Sequence, residues 1–169
     1  MDPKYALRAL YWILLIVIPP VFGQYLNGFD LLVLSNNFTI VLTIIGIVLV
    51  LYGIVLNVVA GRTLRKYGHS HPARRFTQPD RLVRSGIYRC MRHPAQFGLI
   101  LVGVGANLIV LGPAGVLLSG WIIAAGLLFI ICVEEPEARS IFGEEYHLYE
   151  EKAPPVSLNI MCIIRHLFE

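Results

Sequence analysis

The eighteen residues Arg81–Gly98, RLVRSGIYRCMRHPAQFG, hold four arginines, Tyr88 and His93, and an uncharged run of 40 residues then separates them from the carboxylate pair Glu134-Glu135. Guanidinium groups and helix N-terminal N–H groups attract carboxylates and other anions. Carboxylates and aromatic faces attract cations. A set of this kind suits a ligand with one charged, polar half held in the headgroup zone. Polar groups wedged between apolar runs are expensive to keep, which makes this the place to look for function.

The elements that must position these residues are apolar. The chain has 169 residues, 56% hydrophobic and 15% charged, with a mean hydropathy of +0.68 and a formal net charge of +3. A soluble domain carries about 25% charged residues, so an integral membrane class is indicated. Spans are expected at about 5–22, 38–60, 94–111 and 114–133, within a single membrane domain covering 1–169. The first ends in Pro19-Pro20 and bulky residues rather than a small-residue cleavage site, and reads as a span. The second has 23 residues without a charge, roughly 34 Å of helix for a bilayer core of about 30 Å. Gly46 and Gly53, seven apart on one face, invite close helix packing.

Charge sets the orientation. Arg62, Arg65, Lys66, Arg74, Arg75, Arg81, Arg84, Arg89 and Arg92 are nine of the 14 basic residues, and the connector from Gln24 to Asn37 has none. The positive-inside rule then puts the 61–92 loop and both termini in the cytoplasm. Arg62 to Arg75 are accounted for by topology and contact with anionic headgroups.

The uncharged run from Pro94 to Val133 breaks at Gly112-Pro113. If its halves form an antiparallel hairpin, the His93 end and the Glu134 end meet at one membrane face. Pro94 suits the first turn of a helix. Beyond the pair, Phe142, Tyr146 and Tyr149 read as packing, and Val156–Phe168 as an interfacial helix or a cap. Glu144, Glu145, Glu150 and Glu151 read as a solvated face, and His69 and His71 as a solvated loop rather than a metal pair. Cys90, Cys132 and Cys162 lie far apart without CxxC spacing, so neither a disulfide framework nor a metal site is expected.

Two blocks in order carry a resemblance. The first reads Leu82-Val83-Arg84-Ser85-Gly86-Ile87-Tyr88-Arg89, then Arg92-His93-Pro94 and Gly98; the second reads Glu134-Glu135, Phe142-Gly143, Glu145-Tyr146 and Tyr149. With the spans between them they resemble the isoprenylcysteine carboxyl methyltransferase and phospholipid methyltransferase superfamily, over about Arg62 to Pro155. The resemblance implies an all-α integral membrane enzyme with four transmembrane helices and a cytoplasmic-side cofactor pocket, built from 81–98 and 134–149. It implies methyl transfer from S-adenosyl-L-methionine to a lipophilic acceptor, a prenylcysteine-like carboxylate or a phospholipid-like molecule. Leu82, Val83 and Tyr88 would line the adenosine side, His93, Pro94 and Ala95 the methionine portion, and Glu134 its positive end, with Gln96 and Glu135 as further cofactor-binding residues. Glu134 and His93 are the catalytic candidates. Gln96 stands where the family has an aromatic residue. Ile130 stands where prenylcysteine methyltransferases carry an arginine for the substrate carboxylate.

No Gly-rich strand-to-helix turn is present, so a dinucleotide fold has no support. The expected partners are the bilayer and a lipophilic or lipidated substrate, with no nucleic acid. The competing readings are a nicotinamide-dependent reductase relative, a non-catalytic four-span scaffold, and a small transporter. The last two leave His93 and the facing carboxylate without a role, and no charge lies mid-span to mark an ion path.

Overall fold

The computed structural model describes residues 3–27, 36–69 and 79–166, and all regular structure among them is helical. Arg74, Arg75, His71 and most of the Gln24–Asn37 connector lie outside the described residues. Among the described residues seven α-helices follow in order: α1 (Pro3–Asn27), α2 (Asn36–Tyr67), α3 (Pro94–Leu111), α4 (Pro113–Phe129), α5 (Glu135–Phe142), α6 (Glu144–Glu150) and α7 (Ile160–His166). A 3₁₀ turn at Gly86–Arg89 precedes α3, and a π-helical turn at Ile130–Glu134 joins α4 to α5.

Among the described residues, four helical stretches are long and apolar enough to cross a membrane: Pro3–Gln24, Asn37–Tyr67, Pro94–Leu111 and Pro113–Phe142. Large apolar side chains stand outward on them, Leu7 at 68% and Leu117 at 72% exposure among them. Water would make such a surface aggregate; a bilayer makes it the stable one. This is a multi-pass membrane protein. Pro19 and Pro20 lie inside α1 without ending it. Arg62, Arg65 and Lys66 belong to the last turns of α2 rather than to a loop.

The chain divides into two compact units. The first comprises Met1–Ile54 and Gly98–Leu127. Here α2 and α3 touch backbone to backbone: a β-carbon at Gly46 would stand 2.7 Å from the carbonyl oxygen of Gly105, and one at Gly53 2.5 Å from that of Gly98. The glycine spacing is therefore a packing device. The hairpin of α3 and α4 turns at Gly112, whose φ of +52° is one that L side chains rarely adopt. Tyr11 donates a hydrogen bond to the Ala125 carbonyl at 2.9 Å, tying α1 to α4.

The second unit comprises Val55–Phe97 and Leu128–Glu169. Its helices are short, and hydrogen bonds between chain segments hold them. The Arg92 and His93 N–H groups donate to the Pro154 and Pro155 carbonyls at 2.9 and 3.0 Å. Tyr146, Tyr149 and Ala153 form a buried cluster, with Leu82, Ala138 and Phe142 packed against it. Contrary to the expectation from spacing, Cys90 and Cys162 are joined in a disulfide, their Cα atoms 5.8 Å apart. They are 72 residues apart in sequence, and nothing local announces the pairing. Cys132 is free and exposed.

Candidate functional site: a carboxylate held by arginine, histidine and tyrosine

The site lies in the second unit, where the start of α3 meets the start of α5. Pro94 opens α3 and is fully buried, so His93 sits at the mouth of that helix, itself only 7% exposed. From the other side comes the π turn. The Glu135 N–H bonds the Ile130 carbonyl, five residues back. Such a turn admits one extra residue, and every later side chain is rotated by about 100° from the path of a plain α-helix.

That rotation decides which glutamate faces in. Glu135 is 3% exposed, and its Oε1 lies 2.6 Å from His93 Nε2. Arg92 grips the same carboxylate with both branches of its fork, Nε to Oε1 and Nη2 to Oε2, each at 3.0 Å. Tyr146 donates its hydroxyl to Oε1 at 3.1 Å and stands 3.3 Å from His93 Nε2. Arg139, one turn along α5, approaches Oε2 at 3.5 Å while bonding Glu150 at 2.8 Å. A carboxylate has about four acceptor positions. Protein donors occupy those of Glu135.

The two ends meet as the hairpin requires, and of the carboxylate pair it is Glu135 that bonds His93. Glu134 is half-buried. It lies near enough to Tyr88 to push that hydroxyl above its ordinary range, adding to the larger effect of burial. Glu135 therefore neutralises Arg92 and orients His93.

Arg92 does more than pair. Its Nη1 also donates to the Ala153 carbonyl at 2.7 Å and the Glu150 carbonyl at 3.1 Å, so one guanidinium joins α3, α5 and the segment after α6. The Tyr149 hydroxyl donates to the Tyr88 carbonyl, holding the 3₁₀ turn. Tyr146 and Tyr149, read as packing from sequence, are thus polar members of the site. The spacing of Glu145-Tyr146 and Tyr149 after Gly143 was the available signal. Both hydroxyls are pushed up, chiefly by burial.

The His93 ring thus turns its Nε2 to Glu135 and Tyr146. Leu82 and Val83 lie on the approach to the turn, Leu82 half-buried on the tyrosine cluster and Val83 buried. Ala95 and Gln96 are half-buried in the first turn of α3. Ile130, 1% exposed, opens the π turn.

Comparison with known proteins bears on this geometry. Residues 41–145 match the phospholipid methyltransferase family, more than half of the chain. The chain belongs to that family. A protein-S-isoprenylcysteine O-methyltransferase of Xenopus laevis is 31% identical over 115 residues, 67% of this chain and 39% of that protein. A probable protein-S-isoprenylcysteine O-methyltransferase of Oryza sativa subsp. indica is 29% identical over 112 residues, 64% of this chain and 56% of that one. One from Saccharomyces cerevisiae is 29% identical over 113 residues, 65% of this chain and 46% of that one. The chain thus spans about half the length of the curated relatives it matches. No solved structure matches. The stretch matched by the family contains Tyr88, Arg92, His93, Glu134 and Glu135; Tyr146 and Tyr149 fall just beyond it.

Proposed function

We propose that this chain is an integral membrane methyltransferase that moves the methyl group of S-adenosyl-L-methionine to a lipophilic acceptor. The observation that carries the reading is the buried network of Arg92, His93 and Tyr146 on Glu135, at the mouth of α3 and largely within the stretch that matches the family. Glu135 holds Arg92, His93 and Tyr146, and Glu134, the next carboxylate on the same turn, lies beside Tyr88. The residues suit the cofactor: a carboxylate and a tyrosine for its cationic centres, and the first turn of α3 for its carboxylate. Leu82, Val83 and Tyr88 would hold the adenosine, and His93, Pro94, Ala95 and Gln96 the amino-acid portion. When bound, the cofactor supplies an electrophilic methyl group on a sulfonium.

Displacement at such a centre depends mainly on alignment and exclusion of water. Glu135 and Arg92 serve that end by fixing His93. A carboxylate or thiolate acceptor needs no base. For an amine acceptor His93 is the group placed to take the proton. Ile130 offers an incoming acceptor an apolar wall, and Arg139 is engaged with Glu150 and Glu135, so a carboxylate would meet no uncommitted guanidinium at either position. The basic residues of 61–92 argue that the loop carrying the site is cytoplasmic.

The test is binding of S-adenosyl-L-methionine in detergent, followed by methyl transfer to a prenylated cysteine analogue and, separately, to an amino-headgroup phospholipid. Saturable binding with turnover of either acceptor supports the reading. Absence of binding overturns it. Robust turnover of the prenylcysteine, with no gain from Ile130→Arg, would overturn only the account of the acceptor pocket.

A further inference from the structure

Apart from the carboxylate network, the second unit gathers another cluster: Cys90, Cys162 and His166. Cys90 directly follows the 3₁₀ turn that bears Tyr88, and is buried at 4% exposure. Cys162 and His166 stand four apart on α7, so one helix face presents both. One ligand atom from each residue lies within 4.8 Å of the others. Two sulfurs and an imidazole nitrogen so disposed are a soft donor set, of the kind that selects zinc-like cations.

We propose that, when the Cys90–Cys162 disulfide is reduced, Cys90, Cys162 and His166 bind a thiophilic divalent cation of the zinc type. A tetrahedral zinc with sulfurs at about 2.3 Å and nitrogen near 2.0 Å spreads its ligand atoms to about 3.5–3.8 Å. The present spread of up to 4.8 Å brackets that value, and the bonded sulfurs need only part to reach it. A Cα separation of 5.8 Å lets side-chain rotation achieve this without moving α7. A dithiol reductant converts the disulfide to two thiols and itself becomes a disulfide. The cation then displaces two protons from the thiols, His166 donates a neutral nitrogen, and water completes the shell. The structure holds the oxidised, covalent form of the link between α7 and the Tyr88 turn. The reduced form replaces it with a coordinate link at the same point, so α7 stays docked in both redox states. The proposal is independent of the methyl-transfer reading, because none of the three residues belongs to the carboxylate network.

The experiment uses the full chain in detergent with Cys132→Ser as background, reduced with a phosphine and titrated with Co²⁺ and then Zn²⁺. The expected result is one equivalent of Co²⁺ with thiolate-to-cobalt absorption in the near ultraviolet and tetrahedral visible bands, both removed by Zn²⁺. Without reduction neither should appear. Cys162→Ser should abolish the thiolate band, and His166→Gln should weaken binding roughly 10-fold or more; circular dichroism would verify that both variants remain helical. Absence of the thiolate band in the reduced protein would overturn the proposal. So would unchanged cobalt affinity in His166→Gln, which would mark simple dithiol scavenging.

Discussion

Glu135 Oε1 lies 2.6 Å from His93 Nε2 across 42 residues of chain, and Arg92, the residue before that histidine, clamps the same carboxylate from the other side. Neighbouring residues of one motif thus share a single buried acceptor. The histidine is oriented by a group that is itself immobilised, which is the arrangement that precise positioning of a ligand requires. The two glutamates consequently separate by experiment.

Glu135→Gln should destabilise the fold more than Glu134→Gln does. The first leaves Arg92 buried against a neutral partner, a loss of about 3–5 kcal/mol for a broken buried pair. The second removes a half-buried charge and should weaken S-adenosyl-L-methionine binding roughly 10- to 150-fold through one lost charge-assisted contact. Thermal unfolding in detergent and calorimetric titration measure the two effects. Equal loss of stability in both variants would count against the division of roles.

Arg92→Lys should be far from conservative. An ammonium cannot reproduce the fork on Glu135 together with the bonds to Ala153 and Glu150. Melting temperature should fall, and limited proteolysis should cut more readily near Pro154-Pro155, whose backbone pairing adjoins that side chain. A lysine variant as resistant as the parent would show that the carbonyl bonds matter little.

Alkali should loosen the second unit. Tyr146 and Tyr149 titrate above the ordinary 10 in the folded protein, mainly because they are buried. Below pH 10 both states keep their protons and stability is undiminished. As pH rises past 10 the unfolded chain loses them first, so stability falls by about 1.4 kcal/mol per pH unit for each hydroxyl until the native groups titrate. Melting temperatures from pH 9 to 11 should show the decline, and Tyr146→Phe should make it shallower.

Gly53→Val should destabilise the first unit, since its β-carbon would meet the Gly98 carbonyl at 2.5 Å; overpacking of this kind costs roughly 1–3 kcal/mol. Gly120→Ala is the control. Nothing lies within 4 Å of its added β-carbon, and the gain in helix propensity, about 0.5–1 kcal/mol, should leave the melting temperature level or higher.

The sequence by itself determined the apolar spans, the break at Gly112, the glycine spacing on α2 and the two polar ends that the hairpin brings together. These follow from hydropathy and from helical period, which are local properties. Tertiary structure decided the rest. One extra residue in the Ile130–Glu134 turn turns Glu135 rather than Glu134 toward His93, and composition carries no sign of such a register shift. The backing of Arg92 and His93 by Pro154 and Pro155 is made through N–H and carbonyl groups, which every sequence possesses and none advertises. The polar roles of Tyr146 and Tyr149, and the pairing of Cys90 with Cys162, arise from residues distant in the chain. Their meaning is set by what folding places beside them.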